Sequence, residues 1–241
     1  MRVALLADIH GNCFALNAVL TVLQLETVDQ IVCLGDVAIF GPQPRAALAR
    51  IHALGCPVVM GNTDAWALDP KPHPVRNEAT EYVNAIELWS AAQLTDSDRA
   101  LMRTFQPTVT LDLGGATMLC YHGSPRSFHD SIVATTPTAE LAPFFAGYNA
   151  LILAGGHTHQ PYMRRYQEKV LINPGSVGRA YEICAHGTAH DAPWAEYALV
   201  TWHGGQLQID LRRVPYDVQA LRAYTRTTTM PHSDWWLSKL A

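Results

Sequence analysis

Short apolar runs of strand length alternate with stretches of helical period through the first sixty residues. Residues 2–7 form a nearly unbroken apolar run and read as a buried strand of the parallel type. Phe14, Leu16, Val19, Leu20, Leu23 and Leu25 then recur at roughly helical spacing, and Asn12 stands where an N-cap belongs. The unit repeats. Residues 31–34 read as a second strand, residues 45–54 as a helix stopped by Gly55, and residues 57–60 as a third strand. Residues 109–113 and 117–121 read as a hairpin about Gly114-Gly115, followed by a short helix over 138–145 and a buried strand over 150–154. Two more strand pairs are expected, 162–166 with 170–172 and 195–202 with 206–214, the latter about Gly204-Gly205, before a helix beginning near Asp217. Between the third strand and the first hairpin the period changes. The Pro-rich stretch 69–74 cannot be regular helix, while 78–92 and 96–105 read as helices. Residues 65–106 are therefore expected to be a helical insertion packed beside the sheet, within a single domain spanning 1–241. Pattern does not assign the tail. Its Trp235-Trp236 pair reads as packing or an oligomer contact rather than a platform for stacking bases.

Composition narrows the function classes. The chain has 241 residues, 49% hydrophobic and 16% charged, enough for a large core. Its net charge of −4 argues against bulk binding to nucleic acid or to an anionic membrane surface. No apolar run reaches the roughly 18 residues of a membrane span. The N-terminal apolar run meets a carboxylate at Asp8, too soon for a signal peptide, so a cytoplasmic location is expected. Cys13, Cys33, Cys56, Cys120 and Cys184 are widely spaced with no CxxC pair, which favours buried free thiols over a disulfide framework. The assembly state stays open, with a homodimer among its options.

The chemistry lies where the strands end. The first strand runs into Asp8-Ile9-His10, the second into Gly35-Asp36, and the third into Gly61-Asn62-Thr63-Asp64. The hairpin ends in His122-Gly123-Ser124-Pro125, and the strand over 150–154 ends in Gly155-Gly156-His157-Thr158-His159. Each block is a weak signal alone; a repeat of polar groups at the C-terminal ends of strands marks a ligand site in α/β sheets. Together Asp8, His10, Asp36, Asn62, His122, His157 and His159 offer two carboxylates, one amide oxygen and four imidazoles. That is more than one open metal site uses, and it suits two divalent ions sharing a carboxylate. Mixed nitrogen and oxygen donors suit Mn, Fe, Co, Ni or Zn, with Mn favoured. The other histidines, among them His52, His73, His186, His190, His203 and His232, read as ordinary surface or packing residues.

The order Asp-x-His, Gly-Asp, Gly-Asn-x-Asp, His-Gly, Gly-His-x-His over about residues 2–215 resembles the calcineurin-like metallophosphoesterase superfamily. Gly41-Pro42-Gln43-Pro44, the Ser124-Pro125-Arg126 that follows His122-Gly123, Asn173-Pro174-Gly175-Ser176-Val177-Gly178 and Arg213-Val214-Pro215-Tyr216-Asp217 resemble its small bacterial and archaeal branch, which includes phosphodiesterases and diadenosine tetraphosphatase-like enzymes. The resemblance implies an α/β (α+β) fold: a β-sandwich of two mixed sheets flanked by helices, with the metal site at strand C-terminal ends. It also implies one ion on Asp8, His10, Asp36 and His159 and a second on Asp36, Asn62, His122 and His157, with Asp36 bridging. The expected activity is hydrolysis of a small phosphorylated substrate, a phosphodiester or a dinucleoside polyphosphate, by a metal-activated hydroxide. Two divalent ions, two ligand carboxylates and one hydroxide leave roughly one net positive charge, which attracts a phosphodiester monoanion. Phosphomonoester or protein phosphatase activity is the second reading. A catalytically weak metal-binding scaffold for a protein partner is the third.

One position departs from the family. Where members usually carry His after the Asn, this chain has Thr63. A hydroxyl can bond a phosphoryl oxygen but cannot act as a general acid near neutrality, a loss of about 10²–10⁴-fold for leaving groups that need a proton. Substrates with good leaving groups, phenolates or phosphates, are therefore expected. His129 is the alternative acid, with a loop residue the commoner reading. Arg126, Arg179 and Ser176 are expected near the substrate, and Asp64 is expected to orient Asn62 or its loop. Specificity is expected to lie in the 65–106 insertion and the loops over 124–135 and 179–194.

Overall fold

The computed structural model describes residues 1–183 and 189–240; the expectations for Cys184 and His186 lie outside them. In chain order the elements begin with β1 (Arg2–Leu6), α1 (Cys13–Leu23), β2 (Gln30–Cys33), α2 (Pro44–Ala53) and α3 (Asn62–Leu68). The insertion carries α4 (Glu78–Gln93) and α5 (Asp96–Met102), and the hairpin is β3 (Val109–Asp112) with β4 (Thr117–Cys120). There follow α6 (Thr138–Phe145), β5 (Ile152–Ala154), β6 (Tyr162–Tyr166), β7 (Lys169–Asn173), β8 (Tyr181–Ile183) and β9 (Ala189–Asp191). The chain closes with β10 (Trp194–His203), β11 (Gln206–Pro215), α7 (Val218–Thr227) and α8 (Ser233–Leu237).

Two mixed sheets form the framework, one ordered β11-β10-β1-β2 and the other β3-β4-β5-β7-β6, with β8-β9 a separate ribbon. The alternation of side chains along each strand builds three apolar layers. From β1, Ala4 and Leu6 face the helices, while Val3 and Leu5 face the second sheet. From β10, Tyr197 and Leu199 take the helix side and Ala198 and Val200 the other. The second sheet answers with Met118, Cys120, Ile152, Ala154 and Ile172 in the shared layer. Its outer face presents Leu119, Leu153 and Leu171 to Leu141 and Phe145 of α6. Both sheets are thus covered on both faces, which is why their central strands read as continuous apolar runs.

This architecture gathers strand ends. β1 and β2 run parallel, as do β4, β5 and β7. Their C-terminal ends meet through backbone bonds between the loops, among them Val177 N–H to Ala7 O (2.8 Å), Gly178 N–H to Asp8 O (3.0 Å) and Gly156 N–H to His122 O (2.9 Å).

Three elements differ from the pattern reading. Residues 57–60 are not a laddered strand: only two isolated bridges, Cys33 with Val58 and Val59 with Gln106, hold them between β2 and residue 106. Pro57 has no N–H to extend the ladder, and the chain turns into α3 at Asn62. The ribbon β8-β9 lies in a stretch read as loop, because three-residue strands are too short to show a period. The tail contains α8, whose Trp236 is buried and donates its indole N–H to Phe40 O at 2.9 Å. Cys13, Cys33, Cys56 and Cys120 are free, the first, second and fourth of them buried. Among the described residues no helix is long and apolar enough to cross a membrane.

Candidate metal centre

The strand-end blocks leave their strands by turning sharply. Asp8, His10, Asp36, His157 and His159, five of the seven expected ligands, have φ between 47° and 69°. This is the left-handed region, which Asp, His and Asn enter more readily than other side chains and which concentrates at functional sites. Glycines make room. A Cβ on Gly61 would stand 2.1 Å from Asp36 Oδ1, and one on Gly178 would stand 1.8 Å from Ile9 O.

The donors fall into two clusters, Asp8 with His10 and His159, and Asp36 with His122 and His157, each set of donor atoms lying within 4.8 Å of one another. In the first, His10 Nε2 is 3.1 Å from His159 Nε2, and His159 Nε2 is 3.3 Å from Asp8 Oδ1. Asp36 stands between the clusters: its Oδ2 is 3.7 Å from His10 Nε2 and 3.5 Å from His122 Nε2. Its Oδ1 accepts the Thr63 amide at 2.9 Å, so Oδ2 is the oxygen left facing both imidazoles. Asn62 Oδ1 joins the second cluster, 2.9 Å from His122 Nε2.

Three histidines are oriented from behind. Nδ1 of His10, His122 and His159 meets the carbonyls of Ile39 (2.9 Å), Leu34 (2.8 Å) and Arg179 (3.0 Å). A carbonyl only accepts, so Nδ1 carries the proton and Nε2 is the nitrogen turned to a metal. Asp64 does the same for the loop: its carboxylate accepts the amides of Asp36 (2.7 Å), Val37 (3.0 Å) and Gly61 (3.1 Å).

Electrostatics mark the centre as built for a cation. Burial pushes the Asp36 carboxyl up, but the charge and hydrogen bond of His122, with His10 and the Thr63 amide, outweigh it and hold the group well below the usual carboxylate range. Asp8 is lowered likewise, the charge of His159 overcoming burial. Burial also drives His10 down to about 4. His122, against burial, is pushed up to about 10 by Asp36 and Asp8. Asp64 rises to about 7 through burial and the neighbouring Asp36 charge, with the Val37 and Gly61 amides pulling the other way. Asp8 Oδ1 is buried with no hydrogen-bond partner among the described residues, as is Thr63 Oγ1. A buried orphaned carboxylate oxygen ringed by imidazole nitrogens is a donor set that divalent cations fit.

The remaining expected residues divide. Arg179 lines the centre's cavity of about 250 Å³ together with His10, Asp36, Asn62, Thr63, His157 and His159. Its guanidinium is fixed by Asp191 (3.1 and 3.3 Å) and lies 4.5 Å over the Phe40 ring. Ser176 is buried behind Asp8: its hydroxyl donates to Asp8 O at 2.7 Å and accepts the Arg179 amide at 2.8 Å. Arg126 pairs with Asp130 at 2.8 Å and lies over Phe144, and His129 is exposed; neither lines the cavity. Sequence reasoning passed over Glu87, which is buried, lines the same cavity and is 3.2 Å from His73 Nε2. Its signal was a carboxylate set within the buried stripe of α4, between Ile86 and Ser90. A larger cavity, of about 820 Å³, lies at the other end of β2 against the ends of α1 and α2 and contains none of these donors.

A two-sheet sandwich with two clusters of metal-type donors at its parallel strand ends defines a metal-binding hydrolase scaffold. The calcineurin-like phosphoesterase superfamily domain matches residues 1–204, and the chain belongs to that family. The uncharacterised protein MJ0912 of Methanocaldococcus jannaschii is 26% identical over 97% of this chain and 94% of its own length. A metallophosphoesterase from Sphaerobacter thermophilus shares the fold with a TM-score of 0.75 at 25% identity, covering 99% of this chain and 97% of that one. The hypothetical protein PH1004 of Pyrococcus horikoshii superposes with a TM-score of 0.81 at 20% identity, covering 98% and 96%. The expected architecture of two mixed sheets flanked by helices is the one found.

Proposed function

We propose that the chain is a dinuclear metal-dependent phosphoesterase that hydrolyses a phosphodiester or a dinucleoside polyphosphate. The observation that carries this is Asp36: one carboxylate oxygen faces His10 of one donor cluster and His122 of the other. In this reading Asp8, His10, Asp36 and His159 hold one ion, and Asp36, Asn62, His122 and His157 hold the other; the mixed donor set suits Mn, Fe, Co, Ni or Zn, and Mn²⁺ is the ion tested first. When bound, the ions supply Lewis acidity towards the phosphoryl oxygens and a water ionised near neutral pH. The chain's own groups do the rest. The carbonyls behind His10, His122 and His159 fix the imidazoles in the tautomer that leaves Nε2 bare. Arg179, held by Asp191 and Phe40, is placed to meet a nonbridging phosphate oxygen. Thr63 Oγ1, buried at the cavity and without a partner among the described residues, would donate to another. Thr63 cannot protonate a leaving group, and the exposed His129 stands outside the cavity. The reading therefore favours leaving groups that depart as stable anions.

The test is hydrolysis of an aryl phosphodiester by chelator-stripped protein before and after Mn²⁺ is restored, with an aryl monoester alongside. Diester turnover that returns with the metal and exceeds monoester turnover supports the proposal. Monoester preference moves the assignment to a phosphatase, and no metal-dependent turnover of these or of a dinucleoside polyphosphate defeats the catalytic reading.

A further inference from the structure

A second cavity, of about 400 Å³, opens beside the first and shares with it Phe40, Val83, His157, His159 and Arg179. The two cavities therefore adjoin one another. Its outer wall is Tyr181, Trp235 and Lys239. Asp191, which also lines it, is neutralised by Arg179, whereas Lys239 has no carboxylate partner among the described residues. The cavity is thus aromatic and, among the described residues, Lys239 is the lining cation without a carboxylate partner.

The wall is built to stay in place. Trp236 donates its indole N–H to Phe40 O at 2.9 Å, and the Asp191 amide donates to Lys239 O at 2.7 Å, so the tail is tied to both sides of the cavity. Trp235 is held edge-on by Tyr82, ring centroids 5.5 Å apart at 72°, and Lys239 Nζ sits 4.9 Å from its ring centroid. Trp236 is the packing residue of the pair, and Trp235 faces the cavity. Trp235 and Lys239 lie beyond residues 1–204, the part that the calcineurin-like phosphoesterase domain matches.

We propose that this cavity is a nucleotidyl subsite, in which the aromatic wall takes the nucleobase of the group esterified to the reacting phosphorus and Lys239 takes an outlying phosphate. The proposal rests on the phosphoesterase reading and narrows its substrate to nucleoside phosphodiesters and dinucleoside polyphosphates. The volume falls within the range of small-ligand sites, and aromatic faces with a nearby cation are what nucleobases and their phosphates recognise.

Two diesters with one leaving group isolate the subsite: thymidine 5′-(4-nitrophenyl phosphate) and methyl 4-nitrophenyl phosphate, each with Mn²⁺-loaded protein. The expected kcat/KM ratio favours the thymidine ester by at least about 10-fold, and Trp235→Ala lowers that ratio towards 1. A wild-type ratio near 1, or a ratio that Trp235→Ala leaves in place, overturns the subsite. Calorimetric titration of ADP and AMP into the same protein reads Lys239 without any turnover. Wild type is expected to bind ADP several-fold more tightly than AMP, and Lys239→Ala, which trims a partly exposed side chain, is expected to erase that preference. Equal affinities in wild type overturn the role of Lys239. Should neither diester nor a dinucleoside polyphosphate be cleaved, the catalytic reading fails by itself; ADP binding weakened by both variants still supports the subsite, and its absence overturns it.

Discussion

The inner ring of donors and the outer wall of the cavity are made in different ways. The ring is backbone-built: every carboxylate and imidazole in it except His157 and His159 lies within two residues of Asp8, Asp36 or His122, and the loops that carry them are bonded to one another. Its side chains are oriented by carbonyls and amides rather than by other side chains. The wall is the reverse. Arg179 is aimed by Asp191 and Phe40, Glu87 meets His73, and Trp235 leans on Tyr82. Its pieces come from α4, the segment after β7, the ribbon and the tail, far apart in sequence. Backbone-held donors tolerate little positional error, as metal ligation demands, whereas a wall of side chains can be rebuilt to suit a substrate without disturbing the ring.

The comparison breaks if a ring residue proves dispensable. Asp36→Asn keeps the shape and the Thr63 amide contact but removes the charge that two imidazoles face. Removing groups that merely orient metal ligands already costs about 10–100-fold, so this variant is expected to lose at least about 10²-fold in metal-dependent turnover. Metal content by elemental analysis is expected to fall with it. Full metal loading with unimpaired turnover would rule out Asp36 as the shared ligand. A smaller effect sharpens the contrast within the wall. Arg179→Ala is expected to lower kcat/KM by about 10-fold or more, as loss of a charge-assisted phosphate contact does. Arg126→Ala, which releases an exposed ion pair with Asp130 and a contact with the Phe144 ring, both outside the cavity, is expected to stay within about 2-fold. Equal losses in the two variants would mean that the 124–130 loop reaches the substrate after all.

The same division explains what the sequence made legible. The ring could be read because each donor block follows a strand, and strand ends are local signals; Asp8, Asp36, His122 and His157 needed no knowledge of their partners. Asp64 was legible as an orienting group because it sits two residues beyond Asn62, though its three amide partners were not. The wall was not legible, because which side chain meets the cavity depends on tertiary packing. Arg126 and Arg179 look alike in sequence, each just past a strand-end turn, yet Asp130 draws the first away while Asp191 and Phe40 hold the second over the cavity. Trp235 and Trp236 are adjacent and identical, and only the fold of α8 gives one to the core and the other to the cavity. The ribbon β8-β9 and the bridged segment at 57–60 were missed or overextended for the simpler reason that so few residues carry no period.

The finest distinction lies inside the ring, between two histidines with similar backing. His10 is driven down to about 4 by burial and is neutral at pH 7, ready to offer Nε2. His122 is pushed up to about 10 by Asp36 and Asp8, so without metal it carries a second proton at neutral pH. In the metal-free protein a raised folded-state value contributes stability that is full below the ordinary histidine value of about 6.5 and is lost as pH rises through about 10. Cation binding reverses the sense, because the metal competes with that proton for Nε2. Loading at pH 7–8 is expected to release about one proton from His122, and affinity is expected to climb with pH up to about 10. Calorimetry in buffers of differing ionisation enthalpy counts the released protons, His122's together with that of any metal-bound water, and His10 adds none. A binding enthalpy independent of the buffer would show that His122 is already neutral in the metal-free protein, and would remove the electrostatic difference between the two sides of the ring.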